Sequence, residues 1–204
     1  DTILFYAPAL AYGWLGMRSW KATAMMALGF LPLIAWELFS IVYYGFPFPN
    51  TAYAKLGNGI TQGELAARGF RYFQHTLIKD PVTLPAIAMG MVLPPLLRRD
   101  GRYLSLSLGI ALYLIYIVRI GGDFMAGRFF AAPLFLAVLA LVRMPLRGHP
   151  VLWAPAFAVV AVMSLSQPKA PVTTGSDFGK STAGFKNAYG VADERQWYYQ
   201  AAGL

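Results

Sequence analysis

"ATAMMALGFLPLIAWELFSIVYY", Ala22 to Tyr44, decides the fold, because one charged residue, Glu37, interrupts an otherwise apolar run. A helix rises about 1.5 Å per residue, so about 20 such residues cross a hydrocarbon core of about 30 Å. This segment reaches that length outright. Five shorter apolar segments flank it: Thr2–Gly16, Pro81–Leu97, Tyr103–Ile120, Phe129–Val142 and Val151–Leu165. They need flanking residues, tilt or shielding by protein to cross a bilayer.

Composition agrees. Of 204 residues 57% are hydrophobic and 13% charged, against about 25% charged in soluble domains. The mean hydropathy is +0.50. The net charge of +8 does not point to nucleic acid, since lysines and arginines punctuate apolar blocks and form no basic face. With no cysteine, a disulfide framework and a thiolate zinc site are both excluded. Strand periodicity is absent, and backbone groups in lipid must be satisfied internally, so the spans are read as helices. The fold expected is all-α: a polytopic transmembrane bundle of about six membrane segments.

"RSWK", "RRDGR" and "RMPLRGHP" occupy every second connection and are rich in arginine. The positive-inside rule places them in the cytoplasm, leaving the loops Gly45–Asp80 and Gly121–Arg128 and the tail from Ser166 outside. In the first outer loop, "TQGELAARGFRYFQHTLIKDP" opens with Thr61 and Glu64 spaced as a capping box. Ala66, Phe70, Phe73 and Leu77 then recur at helical spacing, which predicts an amphipathic helix on the membrane interface. Residues 1–165 read as a transmembrane module, and residues 166–204 as an external linker and the possible start of a further domain. The chain opens at Asp1 without a methionine and ends in a polar stretch, so it reads as part of a longer protein.

Three features carry candidate chemistry. "RIGGDFMAGRFFAAP", Arg119 to Pro133, sets Arg119, Asp123 and Arg128 around three glycines at an outer mouth. Guanidinium forks beside bare amides suit a phosphate, and Asp123 could orient an arginine, hold a sugar hydroxyl or bind a divalent cation. A snorkelling, ion-paired rim explains the same residues. Tyr43, Tyr44, Asn50, Tyr53 and Lys55 form a second outer cluster, read either as a lipid-phosphate and sugar contact or as an aromatic belt with a capped turn. Glu37, inside the second segment, either pairs structurally or faces a wet cavity, and His75 is a candidate proton carrier. No Walker, dinucleotide, HExxH or nucleophile-elbow motif occurs.

"YYGFPFPNTAYAKLGNG", "DPVTLP", "RIGGDFMAGRFFAAP" and "YGVADERQWYY" together resemble a multispanning membrane glycosyltransferase family. It contains the mycobacterial terminal beta-(1→2)-arabinofuranosyltransferase AftB and the flagellar motor control protein ZomB. The resemblance implies a GT-C-like enzyme of the bacterial inner membrane, with its site facing the periplasm. Such an enzyme transfers a sugar, for example a pentose such as arabinofuranose, from a polyprenyl-phosphate donor to a cell-envelope glycan. It implies that Arg128, Arg119 or Lys55 neutralises the lipid phosphate, and that Asp123 and Asn50 position sugar or acceptor, with Tyr44 and His75 beside them. It implies no fixed cofactor and no metal ligand set beyond the cation Asp123 could hold. In that class the general-base aspartate lies in an earlier outer loop, so Asp123 is expected only to support catalysis, and this stretch alone is expected to be inactive. Two other readings remain open: a non-enzymatic factor for assembly of an envelope or flagellar machine, and a transporter, although no internal repeat supports the latter.

Overall fold

A computed structural model of the chain describes residues 2–48, 53, 59–144, 150–166, 187, 189–194 and 198. It is all-α, with one isolated parallel β-bridge between Met125 and Ala192. The helices are α1 (Ile3–Met17), α2 (Trp20–Gly29), α3 (Leu31–Tyr44), α4 (Gln62–Lys79), α5 (Thr83–Arg98), α6 (Gly101–Arg119), α7 (Ala131–Val142) and α8 (Pro150–Leu165). A single 3-10 turn, Arg128–Phe130, leads into α7.

The apolar segments are helical, yet they do not make about six spans. Among the described residues only α6, with 19 residues, is by itself long and apolar enough to cross a membrane; the number rises to three if each bent helix pair counts as one span. The segment that promised the clearest crossing is broken. Pro32 lacks an amide proton and its ring crowds the carbonyl four residues back, so the chain turns at Phe30 and α3 leaves α2 at 43°. At Asp80–Val82 the bend between α4 and α5 is 106°. There Asp80 Oδ1 accepts from the Val82 and Thr83 amides at 3.2 Å each, and Oδ2 takes the Thr83 hydroxyl. The carboxylate thus caps α5 after the chain has turned. The remaining helices are too short: α1 has 15 residues, α5 16 and α7 12.

α6 is the axis on which the molecule is assembled. α1 lies along it, α4 and α5 pack across it, and α7 pairs with α5. The core is Phe5, Tyr72, Ile87, Ile110, Tyr113, Ile117, Phe130, Ala137 and Val191. Phe5 stacks on Tyr113 with ring centroids 4.2 Å apart, and Tyr72 on Phe130 at 5.1 Å. α2 and α3 touch chiefly their chain neighbours, leaving Trp20, Val42 and most of α3's large side chains exposed.

The expected amphipathic helix forms as α4, but its buried stripe lies one residue away. Leu65, Gly69, Tyr72 and Thr76 face inward, whereas Phe70 and Leu77 are exposed. Gly69 explains the shift: a Cβ there would stand 2.6 Å from the Val118 backbone, so only glycine lets α4 lie this close on α6. The capping box is half made. Thr61 Oγ1 accepts from the Glu64 amide at 3.3 Å, but the Glu64 carboxylate turns to Arg68 at 2.7 Å.

Candidate functional site

At the end of α6 the chain reverses through Gly121 and Gly122. Their amides close the helix onto the Val118 and Ile117 carbonyls at 3.2 and 2.9 Å. Both have positive φ, 81° and 73°, a region open to glycine at no steric expense. At Gly122 there is a second demand, since a Cβ would lie 2.6 Å from that of Tyr72. Tyr72 then holds the rest of the turn: its hydroxyl donates to the Met125 carbonyl at 3.0 Å and accepts from the Phe129 amide at 3.3 Å.

A segment from the far end of the chain completes the structure. Ala126 N donates to the Ala192 carbonyl at 2.8 Å, and Ala192 N to the Phe124 carbonyl at 2.6 Å. Asn187 anchors this segment. Its Oδ1 accepts from the Tyr189 and Val191 amides, both at 2.9 Å, and its Nδ2 lies 3.1 Å from His75 Nδ1. Because Oδ1 is already an acceptor for two amides, the nitrogen faces His75, and Nδ1 must accept. The proton of the neutral ring therefore sits on Nε2. Burial pushes the His75 pKa below its ordinary value, Lys79 adds to this, and Asp193 opposes it. His75 in this tautomer is a hydrogen-bond donor at Nε2.

The turn, the last turn of α4 and the Asp193–Glu194 pair enclose a cavity of about 440 Å³. His75, Thr76, Lys79, Arg128, Asp193 and Glu194 are its chemically active walls. Among the described residues neither His75 Nε2 nor Thr76 Oγ1 has a hydrogen-bond partner, although both atoms are buried. A buried polar atom left unmatched costs about 1–3 kcal/mol, so both point to a missing partner. A smaller cavity of about 260 Å³ lies on the other side of the turn, against Arg68, Asp123 and Tyr189.

The structure brings some of the expected residues together and separates others. Arg128 Nη1 is 3.5 Å from Asp123 Oδ2, with the carboxylate side chain 2% exposed and the guanidinium side chain 56%. Arg128 also donates to Met125 Sδ at 3.0 Å and lies over the Phe129 ring. Asp123 and Arg128 thus grip the turn from opposite cavities. Arg119 is exposed on the last turn of α6 and makes no ion pair with Asp123. Tyr44 ends α3, edge-on to Tyr43, and does not line either cavity. Asn50 and Lys55 lie outside the described residues. Glu37 is half-buried on α3, and among the described residues no arginine or lysine reaches it. Nor do three or more His, Asp or Glu side chains gather as a metal site would, among the described residues.

Sequence reasoning missed Tyr72, Thr76, Lys79, Asn187, Asp193 and Glu194. The first two were within reach, on the stripe Leu65, Gly69, Tyr72, Thr76 at helical spacing. Asn187 was not, because its contact to His75 spans 112 positions.

Comparison with known proteins now bears on the site. The chain is 28% identical over 163 residues to the terminal beta-(1->2)-arabinofuranosyltransferase of Corynebacterium glutamicum, a match covering 71% of this chain and 23% of that protein. It is also 28% identical over 155 residues to the terminal beta-(1->2)-arabinofuranosyltransferase of Mycobacterium tuberculosis, covering 63% of this chain and 24% of that protein. The chain is a distant homologue of these arabinofuranosyltransferases. It spans about a quarter of the length of these curated relatives. No protein-family model matches the chain. No solved structure matches it.

Proposed function

We propose that this chain forms part of a membrane glycosyltransferase that moves a sugar, a pentose such as arabinofuranose, from polyprenyl phosphate to a cell-envelope glycan. The observation that carries the reading is a polar cavity at the end of a membrane-length helix, in a distant homologue of arabinofuranosyltransferases. In such a transfer an acceptor hydroxyl gives its proton to a general base, expected in an earlier outer loop, and bonds to the anomeric carbon while the bond to phosphate oxygen breaks, and negative charge grows on the leaving phosphate. Arg128 is suited to that charge. Its exposed guanidinium can offer two donors to a phosphate, and Asp123 and Met125 fix its stem side. Preorganised donors of this kind favour charge that develops in the transition state. Asp123, whose side chain is buried, acts here as a positioning residue for Arg128.

The test uses the full-length protein in purified membranes, supplied with radiolabelled polyprenyl-phosphate pentose and a glycan acceptor. Arg128→Ala should lower transfer by about 10²-fold or more, the loss typical of removing one such donor, with membrane insertion unchanged. Asp123→Asn should fall less. No transfer from any of a panel of donors, or an Arg128→Ala protein as active as wild type, would sink the reading.

A further inference from the structure

The cavity beneath Arg128 has a chemistry of its own. Its walls carry Lys79 and Arg128 against Asp80, Asp193 and Glu194, two cations against three carboxylates. Asp80 is committed to capping α5. A cavity without a positive excess does not select a phosphate. It does present donors and acceptors side by side: the Lys79 ammonium, the His75 Nε2–H and the Thr76 hydroxyl against the Asp193 and Glu194 carboxylates. Sugar hydroxyls, each donating and accepting at once, match such a mixed lining. Met125 and Ala126 add a small apolar wall for the C–H face of a ring. The volume of about 440 Å³ lies within the range of small-molecule sites, about 300–1,000 Å³.

Thr76 supplies an independent sign of a ligand. It is 3% exposed, and among the described residues its Oγ1 has no partner. Helical threonines ordinarily turn this hydroxyl back to a carbonyl of the preceding turn, and here that bond is not made. The adjacent His75 Nε2 is unmatched in the same way, in the tautomer that Asn187 imposes.

We infer that the cavity lined by His75, Thr76, Lys79, Asp193 and Glu194 is a carbohydrate subsite that binds the hydroxyls of a neutral pentose ring, with the phosphate held at its Arg128 wall, where the guanidinium is exposed. This rests on the glycosyltransferase reading above, and the ring can come from the donor's sugar or from the end of the acceptor glycan.

Binding to the full-length protein in detergent should be measured by calorimetry with three probes: a neutral pentofuranose disaccharide, a polyprenyl-phosphate pentose, and inorganic phosphate. Thr76→Val and Glu194→Gln each remove hydrogen-bonding capacity with little change of volume, and each should weaken sugar binding about tenfold. Lys79→Met, at an exposed helix end, serves as the variant least able to disturb folding and should weaken binding in the same sense. Loss confined to the disaccharide assigns the acceptor ring, and loss confined to the lipid-linked sugar assigns the donor ring. The subsite is overturned if neither sugar binds the wild type, if all variants bind both sugars normally, or if inorganic phosphate occupies the cavity and depends on the same residues. Transfer activity is measured separately. Sugar binding without transfer from any donor would remove the enzymatic reading and leave the subsite standing.

Discussion

Tyr72 is wholly buried, yet its hydroxyl closes two hydrogen bonds to the turn that carries the candidate site. Tyr72→Phe keeps the ring stacked on Phe130 and removes the hydroxyl that bonds the Met125 carbonyl and the Phe129 amide. The expected loss is about 1–3 kcal/mol, read as a lower thermal unfolding midpoint together with faster proteolysis between residues 121 and 128. An unchanged midpoint would mean that the turn is held by its other contacts, those with Ala192 and with the end of α6. His75 makes the second prediction, and its sign follows from the depressed pKa. The unfolded chain binds the proton near pH 6.5 and the native ring only at lower pH. Stability is therefore complete above about 6.5 and falls as the pH drops through the native value. Protonation also turns Nδ1 into a donor facing the Asn187 amide nitrogen, so the same pH fall should release the 187–194 segment. Thermal unfolding from pH 8 to 5 should show a decline that is reduced in His75→Gln. The chain has two histidines, and an equal decline in both proteins would assign the effect elsewhere.

The turn after α6 offers a comparison between two glycines of the same backbone conformation. Gly122 and Gly127 have φ of 73° and 74°. An added Cβ at Gly122 would strike Tyr72, whereas at Gly127 it meets nothing within 4 Å. Gly127→Ala should thus lose only the left-handed penalty of about 1–2 kcal/mol, and Gly122→Ala clearly more, with Tyr72 displaced. Equal losses in chemical denaturation would show that the Gly122 contact is relieved easily. These elements also show what could be read from the amino acids. The start of α4 was legible because Thr61 satisfies a nearby amide, whereas the caps that Ser19, Asp80 and Asp100 give the following helices were not read from their spacing. Local chemistry sets such ends within a few residues. The break at Phe30 was hidden inside a continuous apolar run, because hydropathy does not register the clash that Pro32 brings to the preceding turn. The α4 stripe was misplaced because Phe70 and Leu77 are apolar but exposed, while glycine at 69 decides which face can approach α6. In the candidate site, the gathering of Arg119, Asp123 and Arg128 at one turn was legible from spacing, while the choice of Arg128 as the partner of Asp123 came from the structure. The share of Asp193, Glu194 and Asn187 was not, since a parallel bridge between residues 125 and 192 leaves no local signature.

Polar features collect at the two ends of α6. The candidate site lies beyond its C-terminus. At its N-terminus Asp100, Arg102, Tyr103 and Arg143 line another cavity, of about 470 Å³. Between them the helix buries Ile110, Tyr113 and Ile117 on one side and exposes Leu104, Leu108 and Ile115 on the other. Its 19 residues extend about 28 Å, close to the hydrocarbon thickness of about 30 Å. The exposed apolar faces of α2 and α3 add surface that lipid or further protein must cover. Since these 204 residues contain no cysteine, single cysteines placed among them report position once any cysteine elsewhere in the full-length protein is replaced. Arg102→Cys and Phe124→Cys, both at exposed positions, flank α6. If α6 spans the bilayer with its arginine-rich end in the cytoplasm, a membrane-impermeant maleimide applied to spheroplasts labels Phe124→Cys at once. Arg102→Cys then reacts only after permeabilisation. Labelling of both from one side would mean that α6 does not cross, and the bent pairs would be left as the candidate crossings. Labelling in the opposite order would turn Arg128 and the sugar cavity toward the cytoplasm, which is incompatible with a donor presented on the outer face. The topological experiment thus tests the proposed chemistry as well, because the proposed donor presents its sugar on the outer face.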